Sequence, residues 1–191
     1  MTASTSTTST TTLPSGLTTG TWVVETSHSA AQFTVRHAGI AKVRGSLDIS
    51  EGLISVGDDL SSTSVTATLD AASVSTRDAN RDGHLKSADF FDVENHPAWT
   101  FRSTAITPRG GDYVIAGDLT IHGVTRQVEL ATEFNGAATD PFGAARVGFS
   151  ASTEISRKEF GLTWNAALET GGVLVSDTVK ISLEIEAVRQ A

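Results

Sequence analysis

A period of two constrains this chain more than any other feature. Phe33, Val35 and His37 alternate with Gln32, Thr34 and Arg36. Val43, Gly45, Leu47 and Ile49 alternate with Arg44, Ser46 and Asp48. The pattern recurs over residues 65–69, at Trp99 and Phe101, and along Tyr113, Ile115, Gly117, Leu119 and Ile121. Val124, Val128, Leu130 and Phe134 form another row, and Val147, Phe149 and Ile155 a further one. In the last, Val179, Ile181, Leu183 and Ile185 stand opposite Lys180, Ser182, Glu184 and Glu186. Successive side chains on a strand point to opposite faces, so each row is a strand with one dry and one wet face.

Turn chemistry separates the rows. Gly110-Gly111 and His122-Gly123 are hairpin signals, Asn135-Gly136 and Asp140-Pro141 are expected to open a longer loop, and residues 169–172 end another run. About eight strands joined as neighbours imply an antiparallel meander, and closure removes the exposed edges. The expected fold is all-β: a closed, eight-stranded, lipocalin-like barrel. Residues 75–96 break the period. Ser75 and Thr76 are expected to cap a short helical insertion near residues 76–92, with Asp78 in its first turn and Ser87 capping a second turn that carries Phe90 and Phe91. Such an insertion is long enough to close one barrel end.

Composition narrows the function. The 191 residues contain no cysteine, which removes disulfides, thiolate metal sites and thiol catalysis. With 14 Lys and Arg against 22 Asp and Glu, the net charge of −8 disfavours nucleic acid and anionic membrane surfaces. No stretch approaches the length of an integral membrane segment. Residues 2–12 hold ten Ser and Thr, and no charged side chain precedes Glu25. Residues 1–17 are therefore expected to form a disordered tail, with the barrel domain over 18–191. No basic start or apolar stretch resembles an export signal, so the expected location is cytoplasmic.

A barrel of eight strands either fills with side chains or holds one small ligand. The inward rows here are aliphatic, and aromatics make up only 6% of the chain. Rows of nine residues reach about 30 Å at roughly 3.3 Å per residue. A tall, narrow, apolar bore suits a long apolar chain, because each buried CH₂ contributes about 0.8 kcal/mol.

Residues 77–104, RDANRDGHLKSADFFDVENHPAWTFRST, resemble the signature region of the YceI-like family. Arg81, Asp82, His84, Leu85, Ser87, Asp89, Phe90, Phe91, Pro97, Phe101, Ser103 and Thr104 carry the match. Residues 28–37 (HSAAQFTVRH), 117–130 (GDLTIHGVTRQVEL) and 155–162 (ISRKEFGL) resemble three further family stretches, with Glu159 where the family has Asp. The similarity spans roughly residues 20–188. It implies an extended lipocalin-like barrel that binds long isoprenoid chains, such as polyprenyl phosphates or isoprenoid quinone tails, in its bore. The expected function is non-enzymatic binding, storage or transport of such a lipid, with no other cofactor. The alternatives are an enzyme acting on a bound lipid, or an interaction module with an incidental cavity, for which residues 98–106 offer an edge for a homodimer.

Inward parity and apolar character nominate a ligand wall of Phe33, Val35, Leu85, Phe90, Phe91, Trp99, Phe101, Leu119, Ile121, Phe149, Ile155, Phe160, Leu162, Trp164 and Leu174. His37, Arg81, Asp82 and His84 are candidate head-group contacts, since a guanidinium can grip a phosphate with two parallel bonds. The competing reading pairs Arg77, Asp78, Arg81 and Asp82 among themselves to cap the insertion. The five histidines, His28, His37, His84, His96 and His122, show no paired metal-ligand spacing, so no metal is expected. No G-x-S-x-G, dinucleotide or phosphate loop occurs, and no catalytic residue is nominated.

Overall fold

The computed structural model describes residues 11–191. Among them are nine strands: β1 (Gly20–Val24), β2 (Ala30–His37), β3 (Ala41–Val56), β4 (Ser64–Ser75), β5 (Ala98–Arg109), β6 (Asp112–Ile121), β7 (Val124–Thr139), β8 (Ala145–Ser156) and β9 (Val175–Arg189). Each of β2 to β9 pairs antiparallel with its neighbour in sequence, and β2 also pairs with β9. The meander is thus a closed barrel. It has eight positions for nine strands because β1 and β2 share one. The short β1 lies between the far ends of β3 and β9, and β2 lies between the same two strands further along. A single turn of 3₁₀ helix, Thr26–His28, interrupts them.

Register follows from the apolar rows. Phe33 stands opposite Gly45 and Ile181, Phe101 opposite Leu119, and Ile115 opposite Leu130. Gly45 and Gly117 face ring atoms: a Cβ at either would lie 2.3 Å and 2.4 Å from the Phe33 and Phe101 rings. Both rings therefore fold down against the wall over a glycine and leave the axis of the barrel open.

Four sequence expectations change. Asn135-Gly136 does not open a loop. Pairing continues through it to Thr139 opposite Ala145, and the register shift between Phe134 and Gly136 is a β-bulge. The loop turns instead at Asp140, whose carboxylate accepts the amides of Phe142 and Ala144. The helix α1 spans Ala79–Lys86 and is capped by Asp78, which accepts the Arg81 amide at 2.9 Å, not by Ser75 or Thr76. The expected 98–106 edge is covered over its first half: Thr100, Phe101 and Arg102 pair with both β4 and β6 and Ala98 and Trp99 with β4, while Ser103 and residues 105–109 pair with β6 alone. The stretch from Phe160 to Trp164 is not a strand start but part of an irregular crossing between β8 and β9.

The expected tail falls outside the described residues over 1–10. From residue 11 the chain lies against the barrel. The Leu60 amide donates to the Thr11 carbonyl at 2.8 Å, and Leu17 is buried with Trp22, Ile54, Val56, Val147 and Ala187. Packing thus begins upstream of the expected boundary, because one leucine in a polar run suffices to anchor it. No helix among the described residues is long and apolar enough to cross a membrane.

Candidate functional site

The barrel encloses a cavity of about 170 Å³. Phe33, Trp99, Phe101 and Leu119 line it toward one end, and Phe149, Ile185, Leu17 and Pro14 toward the other. Between them run inward residues of every long strand, among them Leu69, Ile115, Leu130, Ala151, Ile181 and Leu183. Thr66, Thr132, Thr153, Tyr113 and Gln32 also border the cavity, but the surface turned toward it is almost wholly apolar. Thr132 spends its hydroxyl on the Leu130 carbonyl at 3.1 Å. Trp99 is buried, its ring meets Phe91 edge-on at 4.9 Å, and its indole Nε1 has no hydrogen-bond partner. A buried donor left unpaired costs about 1–3 kcal/mol, so this N–H carries a local penalty among the packed rings.

Of the nominated wall, Phe33, Trp99, Phe101, Leu119 and Phe149 line the cavity. Phe90, Phe91, Ile121, Ile155, Phe160 and Leu162 are buried in a cluster that plugs the end beyond Trp99, with Leu85 and Trp164 packed against it. Parity sent these side chains inward, but their depth makes them a stopper and not a wall. Val35 and Leu174 are half-buried and line no part of the cavity. The wall residues missed by the nomination include Ile115, Leu130, Ile181 and Leu183, all legible in the alternating rows, and Pro14 and Leu17, hidden in the Ser/Thr-rich start.

The nominated polar residues do not converge on the bore. Asp82 accepts the Thr76 amide at 2.8 Å and its hydroxyl at 2.5 Å. Arg81 donates to the same Thr76 hydroxyl at 2.7 Å and to its carbonyl at 2.9 Å. Both are committed to tying α1 to the end of β4. His84 meets Asp89 at 2.8 Å and stands edge-on to Phe90 and Trp164. His37 is exposed at the end of β2. The arrangement that an enzyme working through His37, Asp82 and His84 requires, with all three at the cavity, is not the one present.

The plugged end is held by a buried cation. Arg157 is 4% exposed. Its guanidinium donates to the carbonyls of Leu162 (2.6 Å), Trp164 (2.8 Å), Ser176 (2.9 Å) and Val175 (3.3 Å). Burial lowers its pKa, and the charge of Asp177 opposes that shift. On the outer face, Arg146 binds Asp140 at 2.8 Å and also reaches Glu25 and Glu186. The hydrogen bond that Arg146 donates to Asp140, then those to Glu25 and Glu186, raise its pKa.

The family model for the YceI-like domain matches residues 22–187. The chain belongs to the YceI-like family. A UPF0312 protein of Staphylococcus aureus is 36% identical over 162 residues, 83% of this chain and 92% of that protein. Among solved structures, the YceI protein of Campylobacter jejuni is 28% identical, with a TM-score of 0.69 over 82% of this chain and 90% of its own. BcnA of Burkholderia cenocepacia shares the fold at 22% identity and a TM-score of 0.73, over 85% and 98% of the two chains. So does a structure described as a polyisoprenoid binding domain from Saccharophagus degradans, at 14% identity and a TM-score of 0.67, over 88% and 98%. This YceI-like chain therefore has the closed barrel of its relatives, with the signature segment at the plugged end.

Proposed function

We propose that this YceI-like chain binds the long apolar tail of a lipid, an isoprenoid chain, inside its barrel and releases it unchanged. One observation carries the reading: a 170 Å³ cavity walled by aliphatic and aromatic side chains along the barrel, in a fold shared with a protein described as polyisoprenoid-binding. Burial drives the affinity. A dozen carbons at about 0.8 kcal/mol each leave micromolar binding or better after ordering losses. The aliphatic rows supply surface and no group that would react with a saturated or isoprenoid chain.

Extraction of the denatured protein followed by mass spectrometry is expected to return a long-chain lipid, and the emptied protein to take up a polyprenol or an isoprenoid quinone. An empty bore that takes up neither would refute the reading. Ala151 lines the cavity. Ala151→Trp is expected to weaken uptake at least tenfold in a fluorescent-lipid titration, with circular dichroism unchanged.

A further inference from the structure

We propose that Asp92, His96 and His122 form a binding site for a divalent transition-metal ion of the zinc class. The three residues come from two segments that touch only in the folded barrel: the turn after α1 and the β6–β7 hairpin. One carboxylate oxygen and one nitrogen from each imidazole lie within 4.8 Å of one another, and all three residues are half-buried. The imidazole rings face each other at 4.7 Å between centroids.

The space around them is kept by glycine. A Cβ on Gly123 would lie 2.8 Å from His96 Cε1, and one on Gly161 would lie 3.3 Å from His122 Nδ1. A side chain at Gly123 would force the His96 ring to shift, and one at Gly161 would crowd His122. Two of the four non-glycine residues with left-handed backbone among those described are Asp92 (φ 47°) and His122 (φ 52°). The Asp92 carboxylate is oriented by Asn95, whose amide reaches both oxygens at 3.1 and 2.9 Å, and its carbonyl accepts the His96 amide at 2.8 Å. Metal-ligating carboxylates are held by such outer hydrogen bonds. Two imidazoles and one carboxylate suit zinc, copper, nickel or iron(II) better than calcium or magnesium, which take oxygen donors. Three protein ligands leave a fourth position for water.

A second group, Glu25, His28 and Glu186, is also close enough to share an ion. There the guanidinium of Arg146 already sits between the two carboxylates. That cluster already holds a cation of its own between its carboxylates and serves as the internal control.

The site makes no use of the bore, so its test is independent of lipid binding. Full-length protein stripped with chelator is titrated with Zn²⁺ by calorimetry, and Co²⁺ serves as the absorption probe. One Zn²⁺ per chain with micromolar or tighter affinity, and a Co²⁺ spectrum of nitrogen and oxygen ligation, are expected. His122→Asn preserves the left-handed turn, which Asn tolerates. That variant and His96→Gln are each expected to weaken Zn²⁺ binding about a hundredfold. They are also expected to abolish the rise in melting temperature that Zn²⁺ gives the parent protein, while Glu25→Gln leaves both intact. Absence of stoichiometric Zn²⁺ binding, or binding that survives unchanged in both His variants, would overturn the proposal.

Discussion

The two ends of the barrel are closed by different physics. At the signature end the chain crosses the opening as irregular backbone, and its carbonyls converge on Arg157. Beside it, α1 is tied down through Asp82, Arg81 and Thr76. An aromatic and aliphatic stopper fills the interior beneath. At the opposite end, Leu17 and Pro14 lie over the bore, Trp22 packs beside them, and few hydrogen bonds hold the segment in place. The Trp22 indole donates to the Thr18 carbonyl, and Leu60 to that of Thr11. A polar lock is directional, and breaking it strands buried partners. An apolar strap can lift in smaller steps, losing exposed methylenes and a few hydrogen bonds at its margin. The contrast makes the strap end the one expected to open first.

Substitutions can break that contrast from either side. The largest effect is expected at Arg157. Arg157→Met removes the donors of several buried carbonyls and is expected to cost about 3–5 kcal/mol in urea denaturation, with amide exchange rising first over residues 157–175. Leu17→Ala is expected to cost about 2 kcal/mol, the low end for a buried leucine because its site borders solvent. It should speed lipid release in stopped-flow fluorescence, which Arg157→Met should do far less per unit of stability lost. Equal acceleration by the two would remove the distinction between lock and strap.

The smallest effect is one of pH. Hydrogen bonds from Ser61, then Ser62, and more weakly from Thr11 hold the Asp59 carboxyl at about 2. A folded-state pKa below the ordinary 3.8 means that the ionised form stabilises the fold above that value, and that this contribution is lost as pH falls through about 2. The Leu60 amide, which donates to Thr11, is expected to shift with that midpoint in an NMR titration, and Asp59→Asn to abolish the shift. A midpoint near 3.8 would show that the serine hydroxyls do not hold the carboxylate, and a midpoint unchanged in Thr11→Val would show that the strap adds nothing to it.

Much of the barrel could be read from the chain because alternation reports which way a side chain points. Ile181, Leu183 and Ile185 were legible as inward, and they line the bore. Alternation does not report height along the axis. Ile121 and Leu119 have the same parity, yet one is plug and the other wall, since two residues along a strand span about 7 Å. Asn135-Gly136 carried the chemistry of a turn and became a bulge because strand pairing with β8 outweighed a local preference. Leu17 was hidden by its polar neighbours. The approach of His96 to His122 could not be read at all, because it exists only once β6 and the segment after α1 meet at one end of the barrel.

The pairing of β2 with β9 has a consequence in time. Ala30 stands opposite Glu184, so the contact that closes the barrel joins residues far apart in the chain. Bringing such ends together costs about 4 kcal/mol in loop entropy by the logarithmic law. Contacts of this span form late and slow folding. Until β9 is in place, β2 and β8 each present an unpaired edge and the rows that face the bore lie open to water on a curved, unclosed sheet. A newly made chain therefore has no enclosed interior before its ninth strand is in place, and any ligand of the bore can be enclosed only after that strand has emerged.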